Sequence, residues 1–105
     1  MKYNIADIAR IIDAGEATGS AQAIDSILLD SRKVYEPANA LFFALKGPRR
    51  DGHQFIPELY RKGVRAFVIS EPVDQALYPD AVLLEVYDTL VALQLLAAHH
   101  RQQFD

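Results

Sequence analysis

Leu41-Phe42-Phe43-Ala44-Leu45 is five apolar residues without polar alternation, followed at once by Lys46-Gly47-Pro48-Arg49-Arg50-Asp51-Gly52-His53. A strand with one wet face alternates apolar and polar residues, whereas a strand covered on both faces does not. The run therefore predicts a buried strand that ends in a basic loop. Ile24 to Asp30, just upstream, has the same character and runs into Ser31-Arg32-Lys33. Two neighbouring strands of this kind would present hydroxyl and cationic groups at one edge.

Beyond these, Ala66–Ile69 is a further short apolar run and Val82–Val86, apolar except for Glu85, another strand, and the segments around them carry helical signals. Asn4 is placed to cap a first helix reaching about Ile12, with Gly15 placed to end it and a small, polar loop from Glu16 to Ala23. A middle helix is predicted from about Gln54 to Lys62, with Pro57 in its first turn and Gly63 behind Arg61-Lys62 as its stop. Asp88 can cap a last helix from Thr89 to about Gln103. Alternating strands and helices predict an α/β sandwich, a central sheet of about four strands flanked by helices.

The chain has 105 residues, half of them hydrophobic and 24% charged, which suits one globular domain. It has no cysteine, so it has neither disulfides nor thiolate metal sites, as suits a reducing cytoplasm. No apolar run is long enough to span a membrane, and the N-terminus lacks the pattern of a signal peptide. A net charge of −3 argues against a nucleic-acid partner. Against that background Leu29 to Phe55 is locally basic: Arg32, Lys33, Lys46, Arg49 and Arg50 against Asp30, Glu36 and Asp51, five minus three or +2. A basic edge on an acidic protein suits an anionic small molecule.

Each motif has a structural as well as a functional reading. In Asp30-Ser31-Arg32 the hydroxyl and guanidinium suit a phosphate, while a plain turn would have Asp30 capping nearby N–H groups. Gly47 offers close backbone approach or a positive φ, and the cations around it suit a diphosphate. Asp51 and Gln54 have the spacing of a capping box. An acid–base pair of Asp51 and His53 is disfavoured by the diverging directions of such near neighbours. His99 and His100 lie about 100° apart on a helix, too divergent to share one metal. No G-x-x-x-x-G-K-[ST] sequence is present, so the chain alone is expected neither to hydrolyse ATP nor to form amide bonds.

Taken in order, Asp30-Ser-Arg-Lys-Val34, Leu41-Phe-Phe-Ala-Leu-Lys-Gly47, Asp51-Gly-His-Gln-Phe-Ile56, Gly63 and Ala66-Phe-Val-Ile69 resemble the N-terminal domain of the Mur ligases, over essentially the whole chain. Pro37-Ala38-Asn39-Ala40 departs from the Pro-Gly-Asp of many members. The resemblance is strongest to the branch that adds D-alanyl-D-alanine to the peptidoglycan precursor, with the branch adding the third residue as the near alternative. Ligases fused to an alanine racemase belong to the same comparison.

The resemblance implies a single N-terminal domain over residues 1–105, with the central ATP-binding and C-terminal domains lying elsewhere in a longer parent chain. It implies binding of the uridine diphosphate part of UDP-N-acetylmuramoyl-peptide by Leu29, Ser31, Arg32, Lys46, Gly47, Pro48, Arg49 and Arg50. It implies no catalytic residue, metal or cofactor within this domain, ATP and Mg²⁺ in the parent ligase, and a cytoplasmic setting. The other readings are a free-standing small enzyme and a binding or interaction domain.

Overall fold

The computed structural model describes residues 2–14, 22–31, 34 and 36–102. Asn4 accepts the Ala6 N–H at 2.8 Å and so starts helix α1, Ile5–Ile11, as expected of an N-cap. The chain leaves this helix through Asp13, at φ 58°. The expected glycine stop, Gly15, and the expected loop up to Ala21 lie outside the described residues.

The central sheet has four parallel strands in chain order: β3 Ser26–Leu28, β4 Ala40–Phe43, β5 Ala66–Ile69 and β6 Val82–Glu85. The fold is the expected α/β sandwich. The first strand differs in extent from Ile24–Asp30. Ala23–Ile24 (β2) pairs instead with Tyr3–Asn4 (β1) in a small antiparallel sheet, and the Asp25 N–H goes to the Asn39 carbonyl at 2.9 Å. β4 stops before Leu45, whose N–H turns back to the Phe43 carbonyl at 2.9 Å.

Alternate residues of each strand serve opposite faces, which explains why β4 and β5 are apolar throughout. Leu41, Phe43, Ala66, Val68 and Leu84 pack with Ile5, Ile8 and Ile12 of the α1 region and with Ala92 and Leu96 of helix α3, Thr89–Gln102. Phe42, Ala44, Phe67 and Ile69 pack on the other face with Ile56 and Leu59 of helix α2, Ile56–Arg61, and with Val64 and Tyr78. Tyr78 comes from the connection between β5 and β6, which holds a 3-10 turn at Gln75–Leu77.

The middle helix is composite: a 3-10 turn, Gly52–Phe55, leads into α2, where Pro57 sits in the first turn. Gly63, at φ 108°, ends it, a conformation that glycine adopts without a Cβ penalty. Asp88 caps α3 through the Leu90 and Val91 N–H groups at 2.9 and 3.2 Å. The buried Thr89 hydroxyl donates to the Ala44 carbonyl at 3.0 Å, which fixes the start of α3 against the end of β4. No helix among the described residues is long and apolar enough to cross a membrane.

Candidate functional site

Because the four strands are parallel, their C-terminal ends share one edge of the sheet. Leu29 and Ser31 leave β3, Lys46 to Arg50 follow β4, Ser70 and Glu71 follow β5, and Tyr87 and Asp88 lead from β6 into α3. The sequence expectation that the β3 and β4 ends are neighbours therefore holds. Arg32 and Lys33 lie outside the described residues.

Leu29 is half exposed, and the Ser31 carbonyl accepts a hydrogen bond from the Lys62 ammonium at 2.8 Å. Lys62, at the end of α2, thus reaches across to the β3 end, a contact between residues far apart in sequence that no local motif signals. The loop after β4 is a narrow hairpin. Lys46 bridges Asp51, the Gly47 N–H donates to the Arg50 carbonyl at 2.7 Å, and the Gly52 N–H donates to the Leu45 carbonyl at 2.8 Å. Pro48 and Arg49 form its tip, and Gly47, Pro48, Arg49 and Arg50 are all exposed.

Two expectations about this loop need correction. Gly47 is not in the left-handed region, and a Cβ there would meet only the Arg50 carbonyl oxygen at 3.7 Å, so no steric demand calls for glycine. That demand falls on Gly52, where a Cβ would lie 2.8 Å from the Leu45 nitrogen and 2.9 Å from the Ala44 backbone. Secondly, Lys46 is not a free cation. It forms a hydrogen-bonded ion pair with Glu71, and that bond and the Glu71 charge raise its pKa. Arg49 and Arg50 make no ion pair among the described residues, so they carry the loop's unneutralised charge. A small cleft of about 140 Å³ beside the loop is lined by Lys46, Ser70, Asp88, Thr89 and Leu90.

Asp51 and His53 do meet, contrary to the expected divergence. Asp51 is extended and caps the 3-10 turn, so its Oδ1 accepts both the His53 N–H at 3.0 Å and the imidazole Nδ1 at 2.5 Å. The expected capping box does not form as such: the Asp51 side chain takes the His53 N–H, and the Gln54 N–H donates to the Asp51 carbonyl at 3.1 Å. The other imidazole nitrogen, Nε2, accepts the Ser70 N–H at 3.0 Å. A backbone N–H can only donate, so His53 is neutral, with its proton on Nδ1.

Burial pushes the Asp51 carboxyl up, but the His53 backbone N–H and imidazole outweigh it and hold the pKa below the ordinary value. A depressed carboxylate contributes stability above its unfolded pKa and loses it as pH falls through the folded one. Acid unfolding of the wild type should therefore include an Asp51 contribution that fades below pH about 4. Asp51→Asn should flatten that part of a pH–stability curve measured by urea titration, and an unchanged slope would contradict the assignment.

Ligand atoms of Asp51, His53 and Glu71 lie within 4.8 Å of one another, a cluster that sequence spacing hides because Glu71 comes from the next strand end. Protein donors already occupy it: the Lys46 ammonium sits on Glu71 and the Ser70 N–H on Nε2. The donor set thus suits an internal network better than a metal ion. His100 and His99 pack against Tyr3, with the Tyr3 hydroxyl 3.1 Å from His100 Nδ1. A second concavity of about 270 Å³, between the α1 end and α3, is lined by Ile12, Val86, Tyr87, Val91 and Leu95 among others and includes no residue expected at the site.

Comparison with known proteins adds to this geometry. A family model described as "Mur ligase family, catalytic domain" matches residues 23–101. A UDP-N-acetylmuramoyl-tripeptide–D-alanyl-D-alanine ligase of Synechocystis is 41% identical over 81 residues, 77% of this chain and 17% of that protein. A UDP-N-acetylmuramoyl-L-alanyl-D-glutamate–2,6-diaminopimelate ligase of Geobacter metallireducens is 37% identical over 94 residues, 88% of this chain and 17% of that protein. A crystal structure of MurF from Acinetobacter baumannii superposes with a TM-score of 0.82 at 27% identity, covering 98% of this chain and 22% of that one. The chain thus spans about a fifth of the length of the proteins it matches.

Proposed function

This chain belongs to the Mur ligase family, and from that premise we propose that it is a substrate-recognition domain holding the uridine diphosphate end of a UDP-N-acetylmuramoyl-peptide. The ligase it serves adds D-alanyl-D-alanine to a peptidoglycan precursor in the cytoplasm. The observation that carries this reading is the parallel sheet edge. Ser31 and the exposed pair Arg49 and Arg50 leave neighbouring strands on the side where open α/β sheets take their ligands.

On this reading Leu29 meets the nucleoside side of the ligand, and the Ser31 hydroxyl donates to a diphosphate oxygen. Arg32, Arg49 and Arg50 supply planar guanidinium donors to the diphosphate, and Gly47 and Pro48 shape the turn that presents them. Lys46 joins them where phosphate oxygens compete with Glu71 for its ammonium. ATP and Mg²⁺ belong to other parts of the parent ligase, where they supply carboxylate activation as an acyl phosphate. A ligase adding the third residue is the second reading, favoured by the diaminopimelate-adding relative. Both readings share the nucleotide end of the substrate.

Calorimetric titration with UDP at low and physiological salt tests the proposal. The affinity should be weak and should fall as ionic strength rises, because the contacts are exposed and charged. Arg32→Ala should weaken UDP about tenfold and uridine little, the loss of one charge-assisted hydrogen bond. Ser31→Ala should weaken UDP by a smaller factor and leave the domain folded. Equal UDP affinity in all three proteins would mean that the segment is a solvated turn.

A further inference from the structure

The network around His53 has a role that a surface loop alone does not require. The hairpin from Lys46 to Asp51 is closed by its own backbone bonds, yet both of its arms are also tied to the end of β5. One arm is held through Lys46 and Glu71, and the other through Asp51, His53 and the Ser70 N–H. The imidazole is only 9% exposed, and both of its nitrogens are engaged, so it has no free site for proton transfer or for a metal.

We infer that His53 is a positioning residue for the nucleotide-binding loop. By accepting the Ser70 N–H at Nε2 while donating from Nδ1 to Asp51, it holds the hairpin at the angle from which Arg49 and Arg50 reach a diphosphate. The inference rests on the reading of the loop as a diphosphate site. A hairpin released from β5 would have to be ordered again whenever ligand binds, which lowers affinity without removing any contact. Imidazole suits the task because one ring offers a donor and an acceptor in fixed, divergent directions.

Two amide substitutions separate the two bonds. His53→Gln places an acceptor near the Nε2 position and keeps the Ser70 bond. His53→Asn is too short to reach Ser70 but can still donate to Asp51, which is partly exposed and keeps the bond from the backbone N–H of residue 53. UDP and uridine are titrated into the wild type and both variants. Amide exchange at Ser70 and the imidazole ¹⁵N shifts are recorded by NMR on the same samples.

The wild type should show a protonated Nδ1 and an accepting Nε2. His53→Gln should bind UDP within about twofold of the wild type, and His53→Asn about five- to tenfold more weakly, with faster Ser70 exchange, while uridine affinity stays level in all three. A folded His53→Asn with wild-type UDP affinity overturns the inference. So does an equal loss in both variants, or a parallel loss of uridine binding, which would mark a general structural defect. A wild type that fails to bind UDP rejects the ligand reading itself and the positioning role with it, and Ser70 exchange in the two variants then shows whether the tie to β5 exists without a ligand to serve.

Discussion

Phe67→Ala lowers the unfolding free energy by about 3–5 kcal/mol, the range for removing a fully buried phenylalanine. Phe67 lies on the central strand β5 with no exposed surface, facing α2. Its ring meets Phe42 edge-on at 6.3 Å and a tilted Tyr78 ring at 6.5 Å. Truncation removes transfer free energy and leaves a cavity between a rigid sheet and a two-turn helix that cannot close over it. Small domains have only about 5–15 kcal/mol in total, so the variant should sit near its unfolding threshold. In urea denaturation the midpoint should fall sharply with an unchanged slope. Leu95→Ala, on the half-exposed side of α3, should change stability by less than about 0.5 kcal/mol under the same conditions. A loss at Phe67 as small as that at Leu95 would mean that the α2 face is not a packed core.

Gly52→Ala is the second large effect, and it acts on fold and loop together. The added methyl would sit 2.8 Å from the Leu45 nitrogen and 2.9 Å from Ala44 backbone atoms, none of which is a flexible side-chain end that can swing aside. The hairpin must then move away from β4, breaking the Gly52 N–H bond to the Leu45 carbonyl and shifting Asp51 and His53. Such overpacking costs about 1–3 kcal/mol. Unlike Phe67→Ala, it should displace amide resonances concentrated in residues 44–54 and at Ser70. A thermal melt and an amide spectrum check both parts. A wild-type melt with an unperturbed loop would show that the close approach at Gly52 is absent in solution.

The sheet was legible because near-continuous apolar runs leave few alternatives: parallel strands formed within all three of Leu41–Leu45, Ala66–Ile69 and Val82–Val86, although β4 stops at Phe43 and β6 at the exposed Glu85. The caps at Asn4 and Asp88, Pro57 in a first turn and Gly63 behind α2 also follow from local chemistry alone. Partner switching did not show. Nothing in Ile24-Asp25-Ser26 says that Ile24 pairs with Tyr3 while Ser26 pairs with Ala40, since both partners are remote.

The site was legible only as composition. A basic, hydroxyl-bearing edge can be read from the strand ends, but the ion pair that occupies Lys46 comes from Glu71. The bond that fixes His53 comes from Ser70, and the contact on Ser31 from Lys62. These partners are brought in by the parallel sheet and the end of α2. The steric need for glycine moved from Gly47 to Gly52 for the same reason, because it depends on how close the β4 backbone lies.

The account's central claim, that this strand edge receives a uridine diphosphate, is tested most directly by following the amide spectrum of the ¹⁵N-labelled wild type as UDP is added at low salt. The account predicts shifts confined to residues 29–32, 46–53 and Ser70, larger with UDP than with uridine and reversed by added salt. Shifts absent from those residues, or scattered over the α1 and α3 faces, would contradict it.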